Sequence, residues 1–442
     1  MKKLNFTRTL PCDDAWDVIV VGGGPAGCAA AAASAREGAR TLLIEATGSL
    51  GGMGTNGLIP AWCPFSDGKR MLYRGLGERV FNECKAGMPF VPKDKMDWAP
   101  IDYERLKRIY DNLVTQHGAT VLFHSVLSSV EADGKGNVKA LIISGKRGLR
   151  AYKAKVYVDC TGDGDLAVWA GAESEYGDGK GGVQPSTHCF MLSHVNMKKY
   201  SMAAMQDKAI YRKIAATGRY PLIQDWHTCN NPVGPGTIGF NSGHIWDVDG
   251  TDPECVSKAL MHGRQQARQF RDALAEFLPE IYAESYLAST GALMGIRESR
   301  RVIGDYVLTL SDYLERQRFQ DDIGLNCYAV DIHSAQDETE AFLQGKLEAM
   351  ARFEQYKPGE SHGIPYRCLI PRKLKNVLMA GRFISCTHEV QASVRVMPVC
   401  LVTGEAAGLA AGLAAKNKLK DVRKVNVGEL QRRLREEGAR LT

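Results

Sequence analysis

A chain of 442 residues with 44% apolar and 24% charged side chains is long enough for two domains sharing one interior, which argues against a disordered or fibrous class. Its formal charge of +6 is spread along the chain, with no basic block interleaved with aromatics. That argues against a nucleic-acid partner and suits an anionic cofactor or substrate. Twelve cysteines occur without a C-x-x-C pair or a Cys/His spacing typical of zinc, so neither a disulfide framework nor a metal site is expected, and reduced thiols are the simpler reading.

The opening MKKLNFTRTLPCDDAWD is basic but lacks the apolar run of a secretory signal, and Asp13 and Asp14 interrupt it. A cytoplasmic protein is expected. DVIVV at 17–21 is a continuous apolar run suited to a parallel strand covered on both faces. PAGCAAAAASAREGA then supplies strong helix formers to Gly38 and leads into TLLIE, a second strand ending at Glu45. This βαβ unit carries G-x-G-x-x-G at Gly22, Gly24 and Gly27. Gly22 permits a tight turn, Gly24 lets a pyrophosphate approach backbone N–H groups beside Pro25 and Ala26, and Gly27 lets helix and strand pack closely. Glu45, 18 residues beyond Gly27, is placed for adenosine ribose hydroxyls and disfavours a 2′-phosphate. Three further matches, GMGTNG at 52–57, GDGKGG at 177–182 and GPGTIG at 234–239, precede no helix, and the last two read as glycine-rich turns.

Four later segments bear on which dinucleotide is held: ATGSLGGMGTNG after Glu45, VYVDCTGDGDLA at 156–167, NVLMAGRFIS at 376–385 and ASVRVMPVCLVTGEAAGLAAGLAA at 392–415. In this order they resemble the glutathione-reductase-like flavoproteins with a single Rossmann domain. With GIRESRR and PYRCLIP they look like the bacterial branch called FAD-dependent oxidoreductases. The resemblance implies FAD as cofactor. It implies that Gly51 and Gly52 continue round the pyrophosphate and ribityl chain while Met53 and Thr55 run toward the flavin. Thr161, Gly162 and Asp163 would turn beside the pyrophosphate, and Gly381 and Arg382 would lie by the ribityl chain, with arginine replacing the commoner acid. Val126 joins this set, as do Val399 and Leu401 at the start of an Ala/Gly-rich helix whose positive end would face the flavin pyrimidine. The run 396–415 could pass for a membrane span, but Pro398, Glu405 and three glycines mark it as a buried helix, and no membrane is expected.

The fold class expected is α/β: a Rossmann-type FAD-binding domain with a β-meander, plus an inserted α+β substrate domain. The FAD domain is assigned to 16–184 and 361–416, the substrate domain to 185–360, and a charged helical tail to 417–442. The pieces ATVLFH, SVLSSVEA, NVKALIIS, LRAYKA and KVYVDC between 119 and 160 read as the meander ending in a parallel strand. ECVSKALMHGRQQARQFRDALAEFL at 254–278 has helical periodicity, and ALMGIRESRRVIGDYVLT at 292–309 reads as strand-rich.

Candidates for chemistry are Arg297, Glu298, His388 and Arg367. The cluster GIRESRR is either a structural Arg–Glu network or a source of an arginine for a substrate's anionic oxygen. His388 follows the Gly-Arg strand and suits proton transfer near neutral pH. Tyr366, His333 and His188 are weaker candidates to line a pocket. The function expected is hydride transfer between a small organic substrate and flavin N5, with an unidentified electron acceptor or donor. The alternatives are reduction of activated C=C bonds, a non-catalytic or nucleic-acid-modifying FAD protein, and an NAD-only dehydrogenase. A homo-oligomer is compatible with the sequence.

Overall fold

Val18–Val21, Thr41–Ile44 and Val156–Asp159 are buried at every position, as strands of a parallel sheet covered on both faces must be. In the computed structural model, which describes residues 7–201, 208–333 and 355–442, they form the centre of a five-stranded parallel sheet. Its order is Val377–Met379, Val156–Asp159, Val18–Val21, Thr41–Ile44, Thr120–Leu122. The last of these corrects the expected meander: ATVLFH is the edge of the parallel sheet. It follows the helix Tyr103–Gln116, and a strand entered through a helical crossover pairs parallel to its neighbour. The meander itself is Val126–Ala132, Val138–Gly145 and Gly148–Tyr152, with Cys12–Asp13 added parallel at one edge.

A second sheet is antiparallel, in the order Thr228–Gly234, Thr237–Ser242, Phe190–Ser193, Tyr286–Thr290. The long helix Pro253–Phe277 backs it, capped by Asp252 through the Glu254 N–H. Phe190 stacks on Phe240 and on Phe270 of that helix, fixing one against the other. GPGTIG is the hairpin turn between the first two strands, with Gly236 at φ +63°. The segment 292–309 is not strand-rich. Its one ladder is Arg300–Val302 with Ser174–Tyr176, and Gly295, Gly304 and Leu308 make isolated bridges, because the charged side chains between turn to separate partners rather than alternate across a sheet.

The Ala/Gly-rich run is a helix, Met397–Lys416, buried everywhere except Val402 and Lys416. It begins two residues before Val399 because Pro398 fits the first helical turn, where its missing N–H costs nothing. Its glycines explain its position. A Cβ on Gly404 would stand 2.2 Å from the Ala26 carbonyl oxygen, and one on Gly408 would stand 2.1 Å from that of Ala30. The helix therefore lies backbone to backbone on Pro25–Arg36, and the composition that suggests a membrane span serves a close helix pair. Inside it, buried Glu405 accepts from Arg36 at 3.0 Å and from the Leu76 N–H at 2.9 Å. The final helix, Val427–Glu436, keeps charges outside but buries Leu430 and Leu434 and ties Arg433 to Glu37 at 2.6 Å.

Gly408→Leu is expected to destabilise the protein by about 3 kcal/mol, since backbone rather than a yielding side chain occupies the space. A urea midpoint unchanged from wild type would refute this contact.

Candidate active site

The three motif glycines do three separate things. Gly22 has φ +97°, and a Cβ there would lie 2.3 Å from the Cys160 carbonyl oxygen; on Gly27 it would lie 1.7 Å from that of Gly22; on Gly24 it would meet nothing within 4 Å. Gly24 is thus the open position, at the N-cap of Pro25–Arg36, where no side chain caps the helix. Its free N–H groups and positive end suit a pyrophosphate. Gly52, at φ +49°, packs against Gly24, and the Gly51 N–H donates to the Gly23 carbonyl at 2.8 Å. Two glycine turns therefore form one cradle. Glu45 accepts from the Gly23 N–H through Oε2 and from the Thr47 N–H and hydroxyl through Oε1, each at 2.6 Å. Oε2 keeps a second acceptor position for a ribose hydroxyl.

Opposite this cradle, Asp159 ends its strand buried. It accepts from the Thr161 N–H and hydroxyl at 3.0 and 2.8 Å and from the Ala167 N–H at 2.8 Å. That shapes the turn at Gly162, φ +90°. Arg382 stands over Gly162 and bonds Asp163 at 2.8 Å. Its Nε is buried with no hydrogen-bond partner among the described residues. An orphaned guanidinium N–H beside a pyrophosphate cradle fits an FAD phosphate or ribityl oxygen.

From the cradle a cavity of about 610 Å³ runs past Met53, Val396, Met397 and Cys400 to a second pole at Arg297, Arg395 and His333. Arg297 is 8% exposed. Its guanidinium donates to the Pro185 carbonyl at 2.6 Å and to Thr187 Oγ1 at 2.9 Å, and lies 3.3 Å from His227 Nε2. No carboxylate of the described residues lies within 4.0 Å of it. Burial, then the charge of Arg395, pulls its pKa down to about 10, which leaves it cationic at neutral pH. Burial pushes the cavity thiols of Cys63, Cys189 and Cys400 up to about 12 and Cys229 to about 11, so none is a thiolate nucleophile.

At the same pole three imidazoles gather, with nitrogens of His227, His244 and His333 within 4.8 Å of one another. Two features argue against an ion shared by all three. His227 and His244 are stacked, 4.3 Å between centroids and 10° between planes, so their in-plane lone pairs run side by side. Arg297 also puts a cation against His227 Nε2. Instead His244 Nε2 and His333 Nδ1 are hydrogen-bonded at 2.9 Å.

A pyrophosphate cradle joined to a catalytic-sized cavity is shared by many flavoproteins, and comparison narrows the choice. The model of the FAD dependent oxidoreductase family matches residues 17–434. The chain belongs to this family. FAD is accordingly its cofactor, and the residues above are the ones that would hold it. The tRNA uridine 5-carboxymethylaminomethyl modification enzyme MnmG of Zymomonas mobilis is 30% identical over 188 residues, 39% of this chain and 28% of that enzyme. The chain thus matches under a third of that relative's length. Among solved structures, a geranylgeranyl bacteriochlorophyll reductase-like protein from Thermoplasma acidophilum is similar at 14% identity and TM-score 0.46, over 98% of this chain and 85% of that one. The OxyS anhydrotetracycline hydroxylase of Streptomyces rimosus is similar at 13% identity and TM-score 0.49, over 96% and 66%.

Of the residues expected to touch FAD in this oxidoreductase, Gly22, Gly24, Pro25, Ala26, Glu45, Gly52, Met53, Val126, Thr161, Gly162, Gly381 and Arg382 line the cavity. Gly27, Gly51, Thr55 and Asp163 stand behind it. Thr55 donates to the Leu50 carbonyl at 2.7 Å, and Asp163 holds Arg382. Val399 and Leu401 are wholly buried in the core, and the helix meets the cavity through Val396, Met397 and Cys400.

The GIRESRR cluster divides. Of its charged residues, Arg297 alone lines the cavity. Glu298 is buried and accepts from Arg301 at 2.9 Å and pairs with His388 at 2.7 Å, Ser299 bonds Asp163, and Arg300 pairs with Asp165. Glu298 and His388 are therefore corrected to structural partners outside the cavity. Arg367 is corrected likewise: it is 45% exposed and paired with Asp321 at 2.9 Å. Tyr366 donates to the Val422 carbonyl at 3.0 Å, and His188 bonds the Gly291 carbonyl at 2.7 Å, so neither reaches the cavity. His333 does line it. Arg395, His227 and His244 were missed. A signal existed for the last two, since pairing TCNNPVG with TIGFNS across the GPGTIG turn brings His227 and His244 together at the hairpin's open end.

Arg382→Ala removes a charge-assisted contact of about 1.5–3 kcal/mol and is expected to weaken FAD binding roughly 10- to 150-fold. Fluorescence titration of the apoprotein with FAD measures this, and unchanged affinity would remove Arg382 from the cofactor site.

Proposed function

We propose that this oxidoreductase transfers a hydride between flavin N5 and a small organic acid, whose carboxylate is held by Arg297. The observation that carries the reading is Arg297 itself, a buried cation at the cavity's far pole without a carboxylate partner among the described residues. A buried charge of this kind is stable when an anion completes it. Arg395 adds a second guanidinium, 13% exposed, bonded to the Asp331 carbonyl at 3.0 Å and 3.8 Å from the Asp331 carboxylate.

FAD, when bound, supplies a hydride acceptor or donor at N5. The protein's own part is to fix the acid group, hold the reacting carbon over the ring and exclude water from a cavity walled by Met53, Met397 and Cys400. A separate electron acceptor or donor completes the cycle in a second half-reaction. Two arginines at one pole also favour a second reading, reduction of a C=C bond activated by a carboxylate, which polarises the bond further when its charge is compensated.

Anaerobic mixing of the holoprotein with small hydroxy and amino acids is expected to bleach the flavin absorbance. Arg297→Ala is expected to keep its flavin while KM for the acid rises about 10- to 150-fold. Reoxidation of chemically reduced enzyme by unsaturated acids, without bleaching by saturated ones, would select the second reading. Equal bleaching by uncharged alcohols, unaffected by Arg297→Ala, would sink both.

A further inference from the structure

We propose that Asp225, His244, His333 and Asp331 form a buried proton relay serving the substrate pole, with His333 exchanging the proton of a substrate hydroxyl or amine. The proposal rests on the hydride-transfer reading above and names the protein group that balances it.

The four residues lie end to end. His244 Nδ1 approaches Asp225 Oδ2 to 2.5 Å, His244 Nε2 meets His333 Nδ1 at 2.9 Å, and His333 Nε2 lies 3.5 Å from Asp331 Oδ2. The first is a close charge contact off the hydrogen-bond line. Asp225, 2% exposed, also accepts from the His227 N–H at 3.0 Å, which holds its carboxylate in place. His244 and His333 are 2% and 5% exposed, and of the four, His333 and Asp331 reach the cavity wall.

Proton accounting follows from the donors available. Ionised carboxylates only accept, so the imidazole nitrogens that face Asp225 and Asp331 are the ones that carry hydrogen, and the gap between the rings needs one more. Filled, the chain holds one proton beyond those of two neutral imidazoles, shared between His244 and His333. Emptied by one, His333 keeps its hydrogen on Nδ1, toward His244 Nε2, and its Nε2 is a base at the cavity wall. In substrate oxidation the C–H bond breaks and leaves with its electron pair as hydride to N5. The O–H or N–H bond breaks too, its electron pair forms the C=O or C=N bond, and its proton passes to His333. The reverse reaction draws that proton back.

The surroundings suit a chain that changes charge by one. His227 stacks on His244 and stands edge-on to His333, 5.1 Å between centroids. Trp246 closes the other side of His244 at 5.7 Å. Arg297 faces His227, Arg395 and Tyr328 face Asp331, and the charge of Lys208 acts on Asp225. The cavity thiols Cys63 and Cys229 stay protonated beside them. His333 would be the catalytic residue, and Asp225 and His244 positioning residues.

Two readouts test the relay. In stopped-flow bleaching by an acid that reduces the wild type, Asp225→Asn and His333→Ala are expected to slow the step about 10²- to 10⁴-fold. Added imidazole should restore part of the His333→Ala rate. The wild-type rate should fall at low pH as the chain fills, and loss of the Asp225 charge, which favours the extra proton, should move that limb to lower pH. Unchanged rates and an unmoved limb would overturn the relay while leaving the hydride reading intact. If no acid bleaches the wild type, the hydride reading fails on its own, and ¹⁵N shifts of the resting holoprotein's histidines judge the chain. A proton on His244 Nδ1 supports the relay, and His244 protonated on Nε2 alone overturns it. Stoichiometric transition metal in the holoprotein, lost in His244→Ala, overturns it as well.

Discussion

The contact between Pro25–Arg36 and Met397–Lys416 sets the geometry of everything else. Gly404 faces Ala26, Gly408 faces Ala30 and Gly412 faces Ser34, so the two helices run parallel in one register. Because seven residues of the second helix precede Gly404 and one of the first precedes Ala26, its N-terminus projects about 9 Å beyond that of the first at 1.5 Å per residue. Two positive helix ends are thereby staggered along one cavity. The nearer suits the pyrophosphate, and the farther suits the pyrimidine edge of the flavin, where negative charge collects on reduction. A larger side chain at any of these glycines would separate the helices and lose the stagger before it touched the cofactor.

Charge is arranged around that frame by separating paired groups from an unpaired one. Glu298, Arg300 and Arg301 find partners in His388, Asp165 and Glu175, and with Ser299 on Asp163 they brace the pyrophosphate turn from behind. Arg297, from the same short stretch, points the other way and is satisfied by carbonyl, hydroxyl and imidazole groups instead. Neutral acceptors solvate a guanidinium without cancelling its charge. One segment thus stiffens the turn at Gly162 and turns a cation to the cavity.

The cofactor half was legible because its signals are local. Gly22, Gly24, Gly27 and Glu45 lie within one βαβ unit: Gly22 and Gly27 leave no room for a Cβ, Gly24 keeps the helix end open, and the Glu45 carboxylate accepts from the Gly23 N–H. The Gly51–Gly52 and Thr161–Gly162 turns were legible through resemblance. The substrate half was not, because its residues come from separate strands and loops and their types are common. Glu298, His388 and Arg367 were plausible by charge and topology, yet each carboxylate or imidazole among them is consumed by a partner that only the tertiary structure reveals. The reading of 292–309 as strand failed for the same reason: alternation in sequence says nothing about where Arg301 will find Glu298.

What joins the halves is a pair of buried amides. Gln184 donates to Gln391 at 3.0 Å, and Gln391 donates in turn to the Arg297 carbonyl at 2.9 Å and the Arg382 carbonyl at 3.3 Å. The Gln184 oxygen accepts from the His333 N–H at 3.2 Å. Arg297, His333 and the Gly381–Arg382 turn are therefore held by one short network, sealed at 1–2% exposure of its two glutamines. An amide is the residue type this place requires. A carboxylate would lose the donor each glutamine needs, and an apolar side chain would leave buried carbonyls unpaired. Its rigidity fixes the distance from the Gly381–Arg382 turn to the far pole of the cavity before a ligand arrives, so that binding energy goes to orienting the ligand rather than to assembling the site.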